Sequence, residues 1–174
     1  MDSQLVKEKA ALALSVGSIA FFWIWVTMYP NISFYIPGFV IYLTWASGFL
    51  AGGGSNGFKA SLTMNLVGLF WAYVGIWLAG LFPSLGILAL PVAIGIVCLP
   101  MCLMAVWTPF AMTPCGFIGA ASLFAVANTA QIGPSGINQA AISTIIAIVL
   151  GNITMPISAK LIEIFLAMMG KRVR

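Results

Sequence analysis

The sequence predicts an all-α fold, a polytopic bundle of about six membrane-spanning helices that forms a single domain over residues 1–174. Hydrophobic residues make up 62% of the chain and charged residues 6%, and the mean hydropathy is +1.12. A soluble domain with so few charged side chains would expose a continuous apolar surface. The charges also crowd the two ends of the chain, with Lys59 isolated between them. We therefore expect the protein surface to face lipid.

Six apolar segments approach the roughly 20 residues that an α-helix needs to cross the hydrocarbon core. The first is long for a signal peptide and lacks an A-x-A cleavage site, so we expect a retained helix. The second is short, and the fifth contains the proline- and glycine-rich stretch TPFAMTPCGFIGA. Each of these two either crosses the membrane or forms a discontinuous, partly re-entrant element. The predicted spans are residues 11–29, 36–51, 60–82, 85–106, 109–129 and 137–169.

The basic residues predict the orientation of the chain, because lysine and arginine near span ends are retained on the cytoplasmic side. Lys7 and Lys9 precede the first span, Lys59 follows the second, and residues 171, 172 and 174 follow the sixth. All of them lie on one side if the number of spans is even. We expect both termini in the cytoplasm. The net charge of +4 then reflects topology and contact with anionic lipid, and nothing indicates a nucleic-acid partner.

Two glycine-rich turns precede long apolar helices. Residues 51–68 read AGGGSNGFKASLTMNLVG, and residues 131–138 read QIGPSGIN. A shift of 79 residues places Gly54 on Gly133 and Gly57 on Gly136. Such turns either connect helices at the headgroup level or form the mouth of a transport path.

A stripe of small residues follows each turn. The two stripes advance by the same steps of four and three residues, which keeps their members on one helix face, and the same shift of 79 residues superimposes them. We predict an inverted repeat of three helices plus three, with repeat A over residues 11–82 and repeat B over residues 85–165. The stripes are Ser61, Asn65, Gly68, Ala72, Gly75 and Ala79 in the third span, and Ala140, Thr144, Ala147, Gly151, Thr154 and Ser158 in the sixth.

The stripes have two interpretations. Small residues let membrane helices approach closely, which assigns helix packing to Gly68, Ala72, Gly75, Ala147 and Gly151. Alternatively the third and sixth spans face each other near the midplane and leave a narrow passage lined by polar stripe members. The pore or substrate candidates are Asn65, Thr144, Ser61, Gly54, Gly57, Gly133, Gly136, Asn128 and Asn152.

The residue types that are missing from the apolar segments argue against several classes of function. Between Lys9 and Ile162 the chain contains no Asp, Glu or His, whereas proton-coupled carriers and charged substrates generally need a titratable or opposite charge in the membrane. No pairing of nucleophile with base is present, and GGGSNGFKAS lacks the spacing of a phosphate-binding loop. We expect neither an enzyme nor a cofactor or metal site, and we interpret Cys98, Cys102 and Cys115 as structural thiols.

Several short motifs resemble a known family. They are WIWV in the first span, PGF in the second, GGxxxGFK followed by NxxGxxWA, and PxxFIGA in the fifth. Together they resemble the uncharacterised bacterial inner-membrane family typified by YcdZ, over most of the chain. The resemblance implies a bacterial inner-membrane location and supplies no established activity.

These observations favour a channel or facilitator for a small neutral or weakly polar solute, which selects by pore width and by hydroxyl and amide groups. One alternative is a non-transport scaffold or assembly subunit, in which the stripes only pack. Another is an ion-coupled carrier that uses backbone carbonyls. We expect a homo-oligomer, because so small a bundle gains lateral packing surface by association.

Overall fold

A computed structural model describes residues 3–128 and 136–170, and this part of the chain contains seven α-helices and no β-strand. The predicted all-α bundle is confirmed. Short 3-10 turns cover Pro83–Leu88, Met104–Val106 and Thr108–Phe110. The helices are α1 (Ser3–Thr27), α2 (Pro30–Tyr35), α3 (Gly38–Leu50), α4 (Gly54–Ala79), α5 (Ala89–Leu103), α6 (Thr113–Ala127) and α7 (Gly136–Met168).

Four stretches are long and apolar enough to cross a membrane by themselves, namely Gln4–Thr27, Gly54–Ala79, Pro83–Val106 and Gly136–Met168. The protein is therefore a multi-pass membrane protein. The apolar helices α3 and α6 contain 13 and 15 residues, which gives lengths of about 20 and 22 Å. A hydrocarbon core is about 30 Å thick. The count of six spans thus depends on these two short helices and stays a prediction.

Contacts between the helices fix their relative directions. Lys7 Nζ donates to the main-chain oxygen of Met169 at 3.0 Å, and Ser15 contacts Ser158 further along the same pair. The helices α1 and α7 are therefore antiparallel, and the start of α1 lies beside the end of α7.

The helices α3 and α4 complete the first three segments. Gly38 packs against Thr27, and Tyr42 Oη donates to the main-chain oxygen of Ala20 at 2.7 Å, so α3 runs back along α1. At the other end of α4, Tyr73 Oη donates to Asn138 Oδ1 at 2.7 Å. Since Asn138 is near the start of α7, α4 and α7 are antiparallel. The segments α1, α3 and α4 thus alternate in direction.

The turn between α3 and α4 depends on glycine. Gly52, Gly53 and Gly54 have φ angles of 97°, 68° and 61°, a region that L side chains rarely adopt. One helical turn later, Gly57 packs against the main-chain oxygens of Gly48 and Ala51. The glycine cluster therefore allows a sharp reversal and lets the two helices begin in close contact.

The packing arrangement is symmetrical between the two halves of the chain. The helix α4 contacts α3, α5, α6 and α7, and α7 contacts α6, α1, α3 and α4. Exchanging α1, α3 and α4 for α5, α6 and α7 converts the first set of partners into the second. This arrangement is the one that an inverted repeat requires, and the superposition of the two halves stays a prediction. At the centre lies an apolar core that includes Val40, Ile41, Leu69, Ala72, Leu123, Ala147 and Ile148.

Candidate functional site

Both small-residue stripes face the interior of the bundle. On α4, five of the six stripe residues are buried and Ala79 is half-buried; on α7, all six are buried. The steps of four and three residues thus mark the inward face of each helix. The interior carries an unusual number of polar side chains for a protein surrounded by lipid: Ser15, Thr44, Ser47, Ser61, Asn65, Ser122, Ser143, Thr144, Asn152, Thr154 and Ser158.

Two stripe glycines, Gly68 and Gly151, pack against main-chain atoms of neighbouring helices. Gly68 on α4 lies directly against the carbonyl group of Gly116 on α6, and Gly119 on α6 lies against the main chain of Asn65. On α7, Gly151 contacts the carbonyl oxygen of Ile41 and the hydroxyl of Thr44 on α3. A methyl group at Gly68 or Gly151 would overlap these atoms. The contacts are all within one chain, so the stripes need no second subunit to explain them.

Three fully buried side chains from α3 and α4 form a hydrogen-bonded group, which we call the Ser–Asn cluster: Ser47, Ser61 and Asn65. Asn65 Nδ2 donates to Ser47 Oγ at 2.7 Å and to Ser61 Oγ at 2.9 Å, and the two hydroxyls bond to each other. The thiol of Cys115 on α6 donates to the main-chain oxygen of Ser47 at 3.5 Å. The cluster therefore joins three helices at a buried position.

The Asn65 amide nitrogen faces the two hydroxyls of the cluster. Ser47 Oγ accepts from this nitrogen and also donates to the main-chain oxygen of Thr44 at 2.9 Å. In the observed orientation Asn65 Oδ1 is buried and has no hydrogen-bond partner within the described chain.

Asn152 on α7 also has an unpaired acceptor oxygen. Its Nδ2 donates to the main-chain oxygen of Ile148 at 2.9 Å, an atom that can only accept, and its Oδ1 is buried without a partner among the described residues. Pro156 lies four residues later inside the same helix and has no N–H to donate. The main-chain oxygen of Asn152 therefore lacks its usual i+4 donor as well. Two acceptor oxygens of one buried residue lie without their ordinary partners.

Thr144, the predicted partner of Asn65 across the passage, bonds to its own helix. Its hydroxyl donates to the main-chain oxygen of Ala140 at 2.7 Å, and none of the hydrogen bonds of the described chain joins Thr144 to Asn65. Both side chains are fully buried. The structure therefore shows a closed interior at this level.

The remaining pore candidates lie near helix ends. Gly54 is exposed at the start of α4, and Gly136 begins α7 with a φ of 73°. Asn128 is exposed at the end of α6, where Nδ2 donates to the main-chain oxygen of Phe124 at 2.8 Å. Gly133 lies outside the described residues. Gly54, Gly136 and Asn128 lie at helix ends, outside the buried Ser–Asn cluster.

An apolar cavity of about 190 Å³ lies between α4, α5 and α6. Its walls include the stripe residues Gly68 and Ala72, so it opens on the same face of α4 as Asn65, one helical turn away. A second, open groove of about 650 Å³ lies between α1 and α3 and is lined by Val16, Phe39, Tyr42, Leu43, Trp45 and Phe49. Its apolar lining suits contact with lipid.

The charged side chains Lys59, Lys160 and Glu163 lie outside the buried Ser–Asn cluster. Lys59 is exposed near the start of α4. Lys160 and Glu163 form an exposed pair at 3.1 Å, with side chains 75% and 51% accessible. Within residues 3–128 and 136–170, no group of three or more His, Cys, Asp or Glu side chains could hold a metal ion.

Two contributors were missed from the sequence, Ser47 and Pro156. Ser47 lies in the short α3, whose hydroxyl residues Thr44 and Ser47 are three positions apart, a spacing that could have indicated a polar face. Pro156 lies four residues after Asn152 in an apolar segment. Because proline has no N–H, this spacing indicates that the main-chain oxygen of Asn152 lacks its usual helical donor.

A model of a known protein family matches most of the chain. The family model DUF1097, described as a protein of unknown function, matches residues 13–162. The chain belongs to this family. No curated protein and no solved structure matches it. The matched segment of this DUF1097 protein starts within α1 and ends within α7, so the family pattern includes the Ser–Asn cluster and Asn152.

Proposed function

We propose that this DUF1097 protein is a membrane channel or facilitator for a small neutral or weakly polar solute. The observation that carries the proposal is the pair of buried amide oxygens, Asn65 Oδ1 and Asn152 Oδ1, on the two helices with the most extensive packing. Leaving a buried acceptor unpaired costs about 1–3 kcal/mol. Hydrogen bonds between helices account for the amide nitrogen of Asn65, but helix packing alone does not require an unpaired acceptor. A solute that bonds to these oxygens during passage accounts for their presence.

The neutrality of the solute follows from the charges. Lys59, Lys160 and Glu163 are exposed, and the buried polar residues of the described chain are serine, threonine and asparagine. A charged solute in a low-dielectric interior needs an opposite charge, and none of these buried residues supplies one. Hydroxyl and amide groups suit an uncharged solute.

Passage requires the closed interior to open. Asn65, Thr144 and Asn152 are fully buried, so we infer that a solute reaches them only when α4 and α7 separate from their neighbours. The helices α3 and α6, short and at corresponding places in the two halves, are the elements that we expect to move, since discontinuous or short helices commonly form transport sites. The glycine turns before α4 and α7 would then border the mouths.

Two other functions each have one supporting observation. The glycine contacts of Gly68 and Gly151 favour a rigid scaffold. The freed main-chain oxygen of Asn152, created by Pro156, favours an ion-coupled carrier that binds a cation through carbonyl oxygens. A scaffold gives no flux of any solute, and an ion-coupled carrier gives flux that depends on an imposed ion gradient.

The location and assembly are also proposals. The family resemblance and the basic residues support a bacterial inner membrane with cytoplasmic termini. The contact between Lys7 and Met169 supports termini on one side. We infer a homo-oligomer, to be tested by native mass spectrometry of the detergent-solubilised protein; a strictly monomeric species would contradict it.

Flux through reconstituted protein tests the proposed function. Proteoliposomes that contain the wild-type chain should swell faster than protein-free liposomes in urea, short amides or small polyols. Thr144→Leu, which enlarges a buried side chain on the inward face of α7, should slow the entry of all permeant solutes, whereas Thr144→Val, of nearly unchanged volume, should retain most of the rate. Swelling equal to that of empty liposomes for every solute would contradict a facilitator.

A further inference from the structure

We propose that this protein selects solutes by their ability to donate hydrogen bonds, so that its substrates are small neutral molecules with N–H or O–H groups, such as primary amides. This inference rests on the proposed facilitator function and specifies the substrate class of the same site. It predicts that neutral solutes of equal size which only accept hydrogen bonds are excluded. Two separate positions, the Ser–Asn cluster and Asn152, support it.

The unpaired polar atom of the Ser–Asn cluster is an acceptor. Asn65 Nδ2 donates to both hydroxyls, and the two hydroxyls bond to each other. The amide oxygen Asn65 Oδ1 is buried without a partner among the described residues. A molecule that pairs with this oxygen has to donate a hydrogen bond.

Asn152 also presents unpaired acceptor oxygens. One proton of its amide nitrogen bonds to the main-chain oxygen of Ile148, its amide oxygen has no partner among the described residues, and Pro156 removes the usual donor for its main-chain oxygen. The two sites therefore present acceptor oxygens from opposite halves of the chain.

Discrimination arises because a solute without a donor leaves these oxygens buried and unpaired. A site built around unmatched polar groups rejects an analogue that lacks the matching group far more strongly than an apolar pocket rejects a small change of size. We expect a difference of at least about tenfold in permeability between a primary amide and a donor-free isomer.

Three isomers of formula C3H7NO provide the test. Propionamide has two N–H groups, N-methylacetamide has one and N,N-dimethylformamide has none, while their masses are identical. Their entry rates into proteoliposomes, after subtraction of the rates for protein-free liposomes, should fall in that order. The outcomes separate the two proposals: no protein-dependent entry of any isomer contradicts the facilitator, and equal entry of all three contradicts selection by donors while the facilitator stands.

Variants assign the selection to the two asparagines. Asn65→Ala and Asn152→Ala remove the acceptor without enlarging the side chain, so the rate for propionamide should fall toward that for N,N-dimethylformamide. Ser122→Ala is the matched control, since this buried hydroxyl on α6 donates to Ile118 within its own helix. If one of the two asparagine variants fails to insert, the other carries the test. An unchanged order of rates in variants that insert normally would overturn the assignment.

Discussion

Lys7 and Met169 are 162 positions apart in the sequence and joined by a hydrogen bond, with Lys7 Nζ donating to the main-chain oxygen of Met169 at 3.0 Å. The ammonium group lies near the end of α7, where helix carbonyls lack partners and carry partial negative charge. The two ends of the described chain therefore share one end of the bundle, which requires an even number of membrane crossings between them.

The first prediction concerns the side of the membrane on which each connection lies. Single cysteines inserted directly after Met1, or substituted at Lys59 and Arg174, in a cysteine-free background should react only with reagents supplied on the cytoplasmic side. Cysteines at Asn31 and Ser135 should react from the opposite side. Labelling in intact cells and in permeabilised cells measures this. Reaction of the Lys59 position from outside would contradict the six-span arrangement.

The second prediction concerns the inverted repeat. In an experimental structure, residues 11–82 and 85–165 should superpose after a half-turn about an axis in the membrane plane, with Asn65 close to Thr144. The helix starts provide an alternative register, since α4 and α7 begin at residues 54 and 136, 82 positions apart. An overlap no better than that of arbitrarily chosen helix triplets would leave the matching stripes as coincidence.

The third prediction uses glycine substitutions. Gly68→Ala and Gly151→Ala should each destabilise the detergent-solubilised protein by about 1–3 kcal/mol, because a methyl group overlaps main-chain atoms of α6 or α3. The melting temperature, followed by circular dichroism, measures the effect. Gly95→Ala on α5 is the control, since nothing lies within 4 Å of an added methyl group there. Melting of the Gly151 variant at the wild-type temperature would contradict the close packing.

The fourth prediction concerns pH. The chain contains no His, and the exposed Lys160 and Glu163 are paired away from the buried cluster. Solute entry should therefore vary by less than about twofold between pH 5.5 and pH 8, the interval in which histidine side chains ordinarily titrate. Swelling rates at fixed osmotic gradient measure it. A titration step within this interval, or a need for a proton gradient, would contradict passage of a neutral solute.

Much of the fold could be predicted because helices in lipid place their small and polar residues on the face that packs against other helices. The spacing of Ser61, Asn65 and Gly68 indicated an inward face, and the structure buries all three. The glycine turn at residues 52–54 was expected and forms the reversal between α3 and α4. In both cases the deciding physics is local, either helical periodicity or the permitted φ angles.

Other features depend on contacts that no local pattern contains. The helix α2 was not expected in the first connection, although Pro30 occupies its first turn, where proline is well tolerated. Ser47 joins Asn65 only because α3 and α4 pack together. The unpaired state of Asn65 Oδ1 follows from the packing of α3 against α4, where the amide nitrogen faces Ser47, and it requires the tertiary structure.

The exchange of packing partners between the two halves has a consequence for biogenesis. Because α3 packs on α7 and α4 on α6, the first three segments leave the ribosome before their closest neighbours exist. Until the later segments follow, Asn65 and Gly68 have no α6 to cover them. We expect the translocon or an insertase to hold the nascent chain until the later helices are synthesised. Truncation after α4 should therefore yield a product that is rapidly degraded.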